Sequence, residues 1–429
     1  MLNKWLVWIV VTGMGINLAF ARTDPSLMVS DIIISGNTHT EEDVLLREML
    51  LKPGDVYSDS LRRVSEDRLY NLQLFNSVEI VPIPDHNRVT LWVNVTERLF
   101  FYPVPVLRLE DRDWAKISYG LGVVHTNFRG RNEYLFAELV FGNRPGYSFK
   151  YYNPWIGQDE RYTLGFTLLK YSLLSKYTVL NDIPAFNEQH IFGVLNSGRY
   201  WGRYFSAAIS LMYENIQADP AGRAFLDHSG GDDVLGVGLT LQYDSRDLKQ
   251  YPSYGRYVNL TAVQSGIAGV GRAVTNLSGD MRYYKPLGPF TVAGRLFHSR
   301  SYGRVPFYQL SYFGFLERIR GHFSQVSAGT RRFLAAFEMR YPLVPLFHIS
   351  LPSDNLPNGA TQNLRFGLNL ALFVDSGQAW TDAFNLKGMQ TGFGMGVHIR
   401  VPYAEVVRLE WAFDEQLRSE FIIEAKTAF

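Results

Sequence analysis

Beyond residue 100 the chain is written in a two-residue rhythm. Tyr134–Phe141, Tyr162–Leu169, Val237–Tyr243 and Leu364–Phe373 each alternate apolar with small or polar side chains, and Gly, Pro, Asn and Asp fill the stretches between such segments. A period of two sends successive side chains to opposite faces of a strand, so each segment has one apolar face. No convincing helical period interrupts the series. The final nine residues follow the same rule: Phe421, Ile423, Ala425, Thr427 and Phe429 share one face, and Glu424 and Lys426 share the other. The expectation is a closing strand from Phe421 to Phe429, with its last aromatic at a membrane boundary.

Residues 27–97 change the rhythm. Val29–Ile34 is a β-branched run closed by Gly36-Asn37. Thr40 then precedes Glu41, Glu42 and Asp43, acidic residues at the positive end of a helix dipole, with Val44, Leu45 and Met49 as the apolar side. Pro53-Gly54 breaks that helix. A second starts at Ser58 or Asp59, with Leu61, Val64, Leu69 and Leu72 at helical spacing, and two strands follow, Val78–Pro82 and Val89–Val95. The predicted order is β-α-α-β-β, within about 70 residues, enough to bury one modest core.

The N-terminus has Lys4, an apolar run from Trp5 to Val11 that continues loosely to Phe20, and then Ala19-Phe20-Ala21. This reads as a secretory leader cleaved after Ala21. The expected division is a leader at 1–21, a small domain at 24–98 and a barrel at 99–429. Thr12, Gly13 and Asn17 interrupt the only long apolar stretch, which falls short of the roughly 20 apolar residues of a spanning helix. Any membrane span is therefore made of strands.

Composition supports that division. Aromatic residues make up 14% of the chain, yet the mean hydropathy is −0.09, so the apolar groups are spread along alternating segments. A net charge of +1 offers no basic patch for nucleic acid, and the absence of Cys removes disulfides and thiolate metal sites. About 330 residues, at roughly 20 per strand and connection, give about 16 strands, one of the even numbers that such barrels use. Tyr151-Tyr152-x-x-Trp155 and Tyr283-Tyr284 are expected in the interfacial girdle. Enzyme signatures such as His-Glu-x-x-His, Gly-x-Ser-x-Gly or a phosphate loop do not occur, and the nine His are scattered. Gly392-Phe-Gly-Met-Gly396 lies inside a strand pattern, where small residues relieve crowding. No catalytic residue, cofactor or metal is expected.

Several motifs resemble one family. Ile34-Ser-Gly-Asn37, Pro53-Gly54-Asp55, Leu69-x-x-Leu72-x-x-Phe75 and Val93-x-Val95-x-Glu97 look like a polypeptide-transport-associated (POTRA) domain. Four further motifs follow in family order: Tyr243-Asp-Ser-Arg-Asp247 with Tyr251-Pro-Ser-x-Gly255, Phe313-Gly314 with Arg318-Ile-Arg-Gly-His322, Phe373-Val-Asp-Ser-Gly377, and the stretch from Phe421 to Phe429. They resemble the superfamily of BamA, TamA and the two-partner secretion transporters. The resemblance implies a mostly β protein, an α+β POTRA domain in the periplasm followed by a transmembrane antiparallel barrel in a Gram-negative-type outer membrane.

It further implies an assembly factor for outer membrane proteins, in which the POTRA domain captures unfolded polypeptide and the barrel aids its insertion. An alternative is a pore that exports polypeptide. Implied partners are membrane lipids and lipopolysaccharide, unfolded polypeptides, and periplasmic or lipoprotein accessory factors. Val89, Leu91, Val93 and Val95 are expected to mark an exposed client-binding edge. The seam would lie between the first strand, with Pro103, Pro105 and Val106, and the last, with Phe421, Ile423 and Phe429. Prolines lack N–H donors, and a spacing of two puts both gaps on the same edge.

Arg320 beside Gly321 places a guanidinium on a tight loop tip able to enter a narrow lumen. An aspartate is costly on a lipid face, so Asp375 should point inward and need a partner. Arg320, a planar fork matching a carboxylate, is the candidate. The family resemblance implies the same contact, a lock between loop and wall. Two departures from the family pattern are His322, where an aromatic usually follows Arg-Gly, and Lys426, where glycine is common.

Overall fold

The structure, a computed structural model, describes residues 27–109, 114–157, 161–175, 177–178, 184–227, 231–314, 318–322, 325–352, 358–404, 406–425 and 429. The expected leader and Lys426 lie outside the described residues.

The N-terminal module is built from β1 (Met28–Ser35), α1 (Glu42–Leu46), α2 (Asp59–Tyr70), β2 (Phe75–Asp85) and β3 (Arg88–Glu97). Both helices pack on one face of the sheet, and the core is formed by residues such as Val44, Leu45, Leu69, Ile80 and Leu91. The strand order is β1-β3-β2, with β3 parallel to β1 and antiparallel to β2. This corrects the expected edge. Val89, Leu91, Val93 and Val95 lie on the central strand and are buried, because a run of alternate valines and leucines is what an interior strand needs under two helices.

The true edges are β1 and β2, and both are guarded. On β2 the Ile80 N–H donates to Glu66 Oε1 at 2.8 Å and its carbonyl accepts from Arg62 Nη1 at 3.2 Å. Pro82 and Pro84 share that lateral side and have no donor. On β1, Val29 exchanges backbone hydrogen bonds with Gly54 and Asp55.

The second unit is one antiparallel sheet of 16 strands. In chain order it has β4 (Phe101–Leu109), β5 (Ile117–Phe128), β6 (Glu133–Gly142), β7 (Gly146–Ile156), β8 (Tyr162–Leu174), β9 (Asn187–Trp201) and β10 (Phe205–Ala218). There follow β11 (Asp232–Asp244), β12 (Gly255–Ser265), β13 (Val274–Leu287) and β14 (Phe290–Gly303). Two short strands, β15 (Ser311–Phe313) and β16 (Ser327–Gly329), pair with each other inside the loop after β14. The wall resumes with β17 (Arg331–Ile349), β18 (Leu364–Trp380), β19 (Gln390–Arg400), β20 (Val407–Phe413) and β21 (Ser419–Glu424).

Alternation sorts the wall as the sequence pattern requires. On β11, Val237, Leu239, Leu241 and Tyr243 are exposed on the outer face while Gly236, Gly238, Thr240 and Gln242 alternate with them on the inner one. A water-soluble protein does not leave an apolar band of this kind bare, whereas lipid covers it. Because neighbours on a strand point oppositely, only one member of each tyrosine pair can join the girdle. Tyr283 faces outward, but Tyr284 is buried on the inner wall, and Tyr152 lines the cavity beneath the module.

The module sits against the turns at one mouth of the barrel. Asn127, near the end of β5, donates to Thr40 Oγ1 at 2.9 Å, and Asn76 Nδ2 donates to the carbonyls of Gly359 and Gln362 at 2.8 and 3.0 Å. At the end of α2, Asn71 donates to Asp247 O at 2.6 Å and accepts from the Lys249 N–H at 2.8 Å.

Asp67, one turn earlier on α2, faces the same junction. Burial, then the Asp247 carboxylate across the junction and Glu66 beside it, push the Asp67 carboxyl up to about 6 against the opposing pull of Arg365. A carboxyl raised in the folded state stabilises that state when protonated. Its contribution is fully present below about pH 4 and is lost as pH rises through about 6. Hydrogen exchange of α2, corrected for intrinsic rate, should therefore be faster at about pH 7.5 than at about pH 5, and Asp67→Asn should remove most of that difference.

Candidate functional site

The loop between β14 and β17 turns inward instead of standing clear of the barrel. Its tip, Arg318–His322, is buried within the lumen, and Arg320 is only 5% exposed. A guanidinium taken out of water loses several kcal/mol of hydration unless charged partners replace it. Here three carboxylates do so. Arg320 Nε and Nη2 each donate to Asp375 on β18 at 2.7 Å, forming a bidentate fork. Arg320 Nη1 donates to Glu338 on β17 at 2.9 Å and to Glu410 on β20 at 3.0 Å. The Phe373 ring lies 3.7 Å from the guanidinium carbon, a cation–π contact that closes the remaining face.

The surrounding charges balance. Glu338 also accepts from Arg340 Nε at 2.6 Å, and Glu410 from Arg408 Nη1 at 2.7 Å. Arg320, Arg340 and Arg408 thus stand against Asp375, Glu338 and Glu410. His398 Nε2 lies 3.1 Å from Glu410, and its Nδ1 lies 2.9 Å from the Tyr251 hydroxyl. Tyr251 enters from the opposite end, on the β11–β12 turn that contacts α2, and stacks under Arg340 at 4.2 Å and Arg400 at 4.4 Å. Glu338, His398 and Glu410 bring three ligand atoms within 4.8 Å of one another, spacing that could suit a cation. Arg320 Nη1 already bridges the two carboxylates, so the guanidinium fills that role.

Glycines make room for the tip. Gly321 has φ +93°, and a Cβ there would lie 2.7 Å from Phe413 O. On the facing wall, a Cβ on Gly392 would lie 1.7 Å from Arg320 O, and one on Gly394 would meet Trp411 O at 2.1 Å. Crowding is thus the reason for the Gly392–Gly396 run. His322 is buried with both ring nitrogens engaged, Nδ1 at 2.7 Å from Gln325 Oε1 and Nε2 at 3.1 Å from Thr391 O.

Sequence reasoning put Arg320 beside Asp375, and the structure brings them together. It missed Glu338, Arg340, His398, Arg408 and Glu410. Their signal was legible in principle: Glu338 with Arg340, and Arg408 with Glu410, are charges two apart inside alternating strands, which marks the face turned from lipid. Also missed was the grip of the tip on β21. Arg318 reaches Glu420 at 3.3 Å and Glu424 at 3.1 Å, and the Gly321 N–H donates to Glu420 at 3.0 Å.

The two ends of the sheet are β4 and β21, and among the described residues no ladder joins them. The sheet nevertheless curls round on itself. Leu99 N–H approaches Tyr403 Oη at 3.5 Å, and the Tyr102 ring meets the Tyr403 ring at 6.0 Å, so the start of β4 touches the β19–β20 turn. The Thr126 N–H donates to Phe100 O, which fixes the even-numbered residues of this stretch as those whose backbone faces β5. Pro103 and Pro105 therefore direct their missing donors to the unpaired side. Val106 faces inward, whereas Phe421 and Ile423 face outward.

Phe429 departs from expectation. β21 ends at Glu424, and Phe429 is buried in the lumen beside Tyr284, ring centroids 6.4 Å apart, with Ala293 and Ala336. The inner wall at that level offers an apolar pocket, which covers the ring as well as lipid would.

A 16-stranded outer-membrane barrel with an inward-folded, arginine-tipped loop and an N-terminal POTRA module defines a class of polypeptide assembly and transport proteins. Residues 127–421 match the Omp85 superfamily domain, and residues 27–98 match the surface antigen variable number repeat, the POTRA unit. The chain belongs to the Omp85 superfamily and is a bacterial outer membrane protein. It is 23% identical over 329 residues to the outer membrane protein assembly factor BamA of Nitratidesulfovibrio vulgaris, covering 71% of this chain and 39% of that one. The chain spans less than half the length of the curated relatives it matches.

Its fold is shared with BamA from Haemophilus ducreyi lacking POTRA domains 1–3, at TM-score 0.54 and 16% identity over 93% of this chain and 83% of that one. It is shared also with CdiB from Escherichia coli, at TM-score 0.60 and 11% identity over 94% of this chain and 75% of that one.

Arg320→Ala would leave three buried carboxylates short of a partner and should cost about 3–5 kcal/mol. The check is a lower temperature for the heat-induced gel shift of the folded barrel. Gly392→Val should expose the loop tip to protease with every charge intact, by denying Arg320 its seat.

Proposed function

We propose that the chain is an assembly factor that inserts outer membrane proteins, using the junction of β4 and β21 as a lateral seam. The observation that carries this reading is the character of the two terminal strands. A closed transmembrane barrel pairs every backbone group, since lipid offers no substitute hydrogen bonds. β4 instead turns two proline nitrogens toward β21, and β21 has six residues where β17 has 19. A strand with missing donors and a short partner makes a weak ladder, one that an incoming strand can replace at little cost. The module, at the periplasmic mouth, is placed to meet clients before they reach the seam.

The lock supports the same reading. Arg320 holds the loop inside the lumen with its charges matched, which leaves the side of the barrel as the route for a client strand. The names of the relatives, assembly factors of the outer membrane, agree with it.

A crosslink across the seam tests the mechanism. Val106 and Ile423 point to opposite faces, so the pair to use is Leu107→Cys with Ile423→Cys, both lipid-facing, joined by a short bifunctional thiol reagent. The locked protein in liposomes should lose most of its insertion of an unfolded client barrel, and activity should return with a cleavable linker after reduction. Full insertion by the locked protein would remove the seam from the mechanism. Wide single-channel conductance of the unlocked protein with its loop in place would favour an export pore.

A further inference from the structure

Between α2 of the module and the adjoining barrel mouth lies a cavity of about 550 Å³ that the lock does not use. Its size falls within the range of pockets that enclose small ligands, about 300–1,000 Å³. Seven Arg and Lys side chains line it against two carboxylates, Glu48 and Asp244, an excess of five positive charges by subtraction. Glu48 is taken by Arg68 at 2.7 Å, and Asp244 by Arg246 at 2.8 Å. Arg47 Nε also lies 3.9 Å from Glu48, so two carboxylates are shared among three of the seven cations and the lining keeps its net positive excess.

The other notable component is aromatic. Six tyrosines, among them Tyr134, Tyr152 and Tyr200, share the lining with Trp155. Arg47 and Arg161 lie over the Trp155 ring at 4.9 and 5.4 Å. Arg47 Nε is buried and finds no hydrogen-bond acceptor among the described residues. An inward-facing donor without an acceptor is a costly feature unless something else supplies one.

From this we infer that the vestibule is a binding site for acidic, aromatic-bearing segments of extended polypeptide. Carboxylates of the segment would meet the guanidinium groups, and its rings would pack among the tyrosines and arginines, as Trp155 already packs against two arginines. The site would hold a few side chains at a time. An excess of one sign inside low-dielectric walls raises the local concentration of the opposite sign, so the vestibule favours acidic stretches on their way from the module. The inference rests on the reading that this protein handles unfolded polypeptide.

Binding can be read without insertion. Full-length protein in nanodiscs of zwitterionic lipid would be titrated into fluorescein-labelled decapeptides of alternating Glu/Tyr, Lys/Tyr, Gln/Tyr or Glu/Ser, followed by anisotropy. Glu/Tyr should bind at least about tenfold tighter than Lys/Tyr or Glu/Ser, with an affinity that falls as salt rises. Arg203 and Lys249 are exposed at the rim, so the double variant Arg203→Glu with Lys249→Glu should fold normally. It should lose about tenfold for Glu/Tyr and gain for Lys/Tyr. A benzoylphenylalanine in place of Tyr134 should crosslink to Glu/Tyr in otherwise unaltered protein.

Equal binding of the acidic and basic peptides would overturn the inference, as would undiminished Glu/Tyr binding by the double variant or no crosslink at position 134. Peptide discrimination without client insertion would count against the assembly reading and leave the vestibule standing. Insertion without discrimination would do the reverse.

Discussion

One buried guanidinium organises the lumen. Arg320 reaches the inner wall from a loop, and its three carboxylate partners come from β18, β17 and β20, so a single side chain ties together strands that are far apart in sequence. None of these groups would tolerate burial alone. Asp375, Glu338 and Glu410 need cations, Arg320 needs anions, and the loop is held because leaving would strand both. Gly392 opposite the tip follows from this contact: a wall that admits a loop must give up a side chain where the loop passes. So does the position of Phe373, which faces inward beside Asp375 and covers the one face of the guanidinium that carboxylates cannot.

The network also joins the two mouths of the barrel. Arg320 arrives from one side and Tyr251 from the other, and they meet through Glu410 and His398. Tyr251 belongs to the turn whose Asp247 and Lys249 hold Asn71 of the module. A chain of hydrogen bonds, with the β11–β12 turn as one link, therefore runs from the module to the loop tip. It supplies a physical connection, while any energetic coupling along it depends on the groups having two arrangements.

Much of the fold was legible because a membrane barrel must repeat one rule. Strand periodicity gives inside and outside, so Asp375 could be placed in the lumen and matched to Arg320 before any coordinates. What periodicity does not encode is lateral order. The alternation of Val89 to Val95 suits an edge or a centre equally, and only the parallel pairing of β1 with β3 makes it central. Nor does alternation fix where a strand stops: Phe429 extends the pattern of Phe421 and Ile423 on paper but leaves the wall after Glu424 and packs on Tyr284. The acidic ring around Arg320 escaped for another reason. Its members sit on three strands, β17, β18 and β20, and their convergence comes from the register of neighbouring strands in the sheet and not from any local motif.

The two end strands of the sheet are not equivalent. β21 is pinned from within, since Arg318, the Gly321 N–H and Arg408 hold Glu420 and Glu424, and moving that strand inward or outward would break buried ion pairs. Among the described residues β4 has no such anchor in its middle. Tyr102, Val104 and Val106 face the lumen with apolar contacts, and the ion pair from Arg108 to Glu138 lies at one end. Separating apolar contacts inside a lipid bilayer costs far less than stranding a carboxylate. In the proposed mechanism β4 would be the strand that yields while β21 stays fixed by the loop. The lock would then not hold the gate shut but would keep one gatepost still, so that a weak ladder could come apart without the barrel losing its charged core.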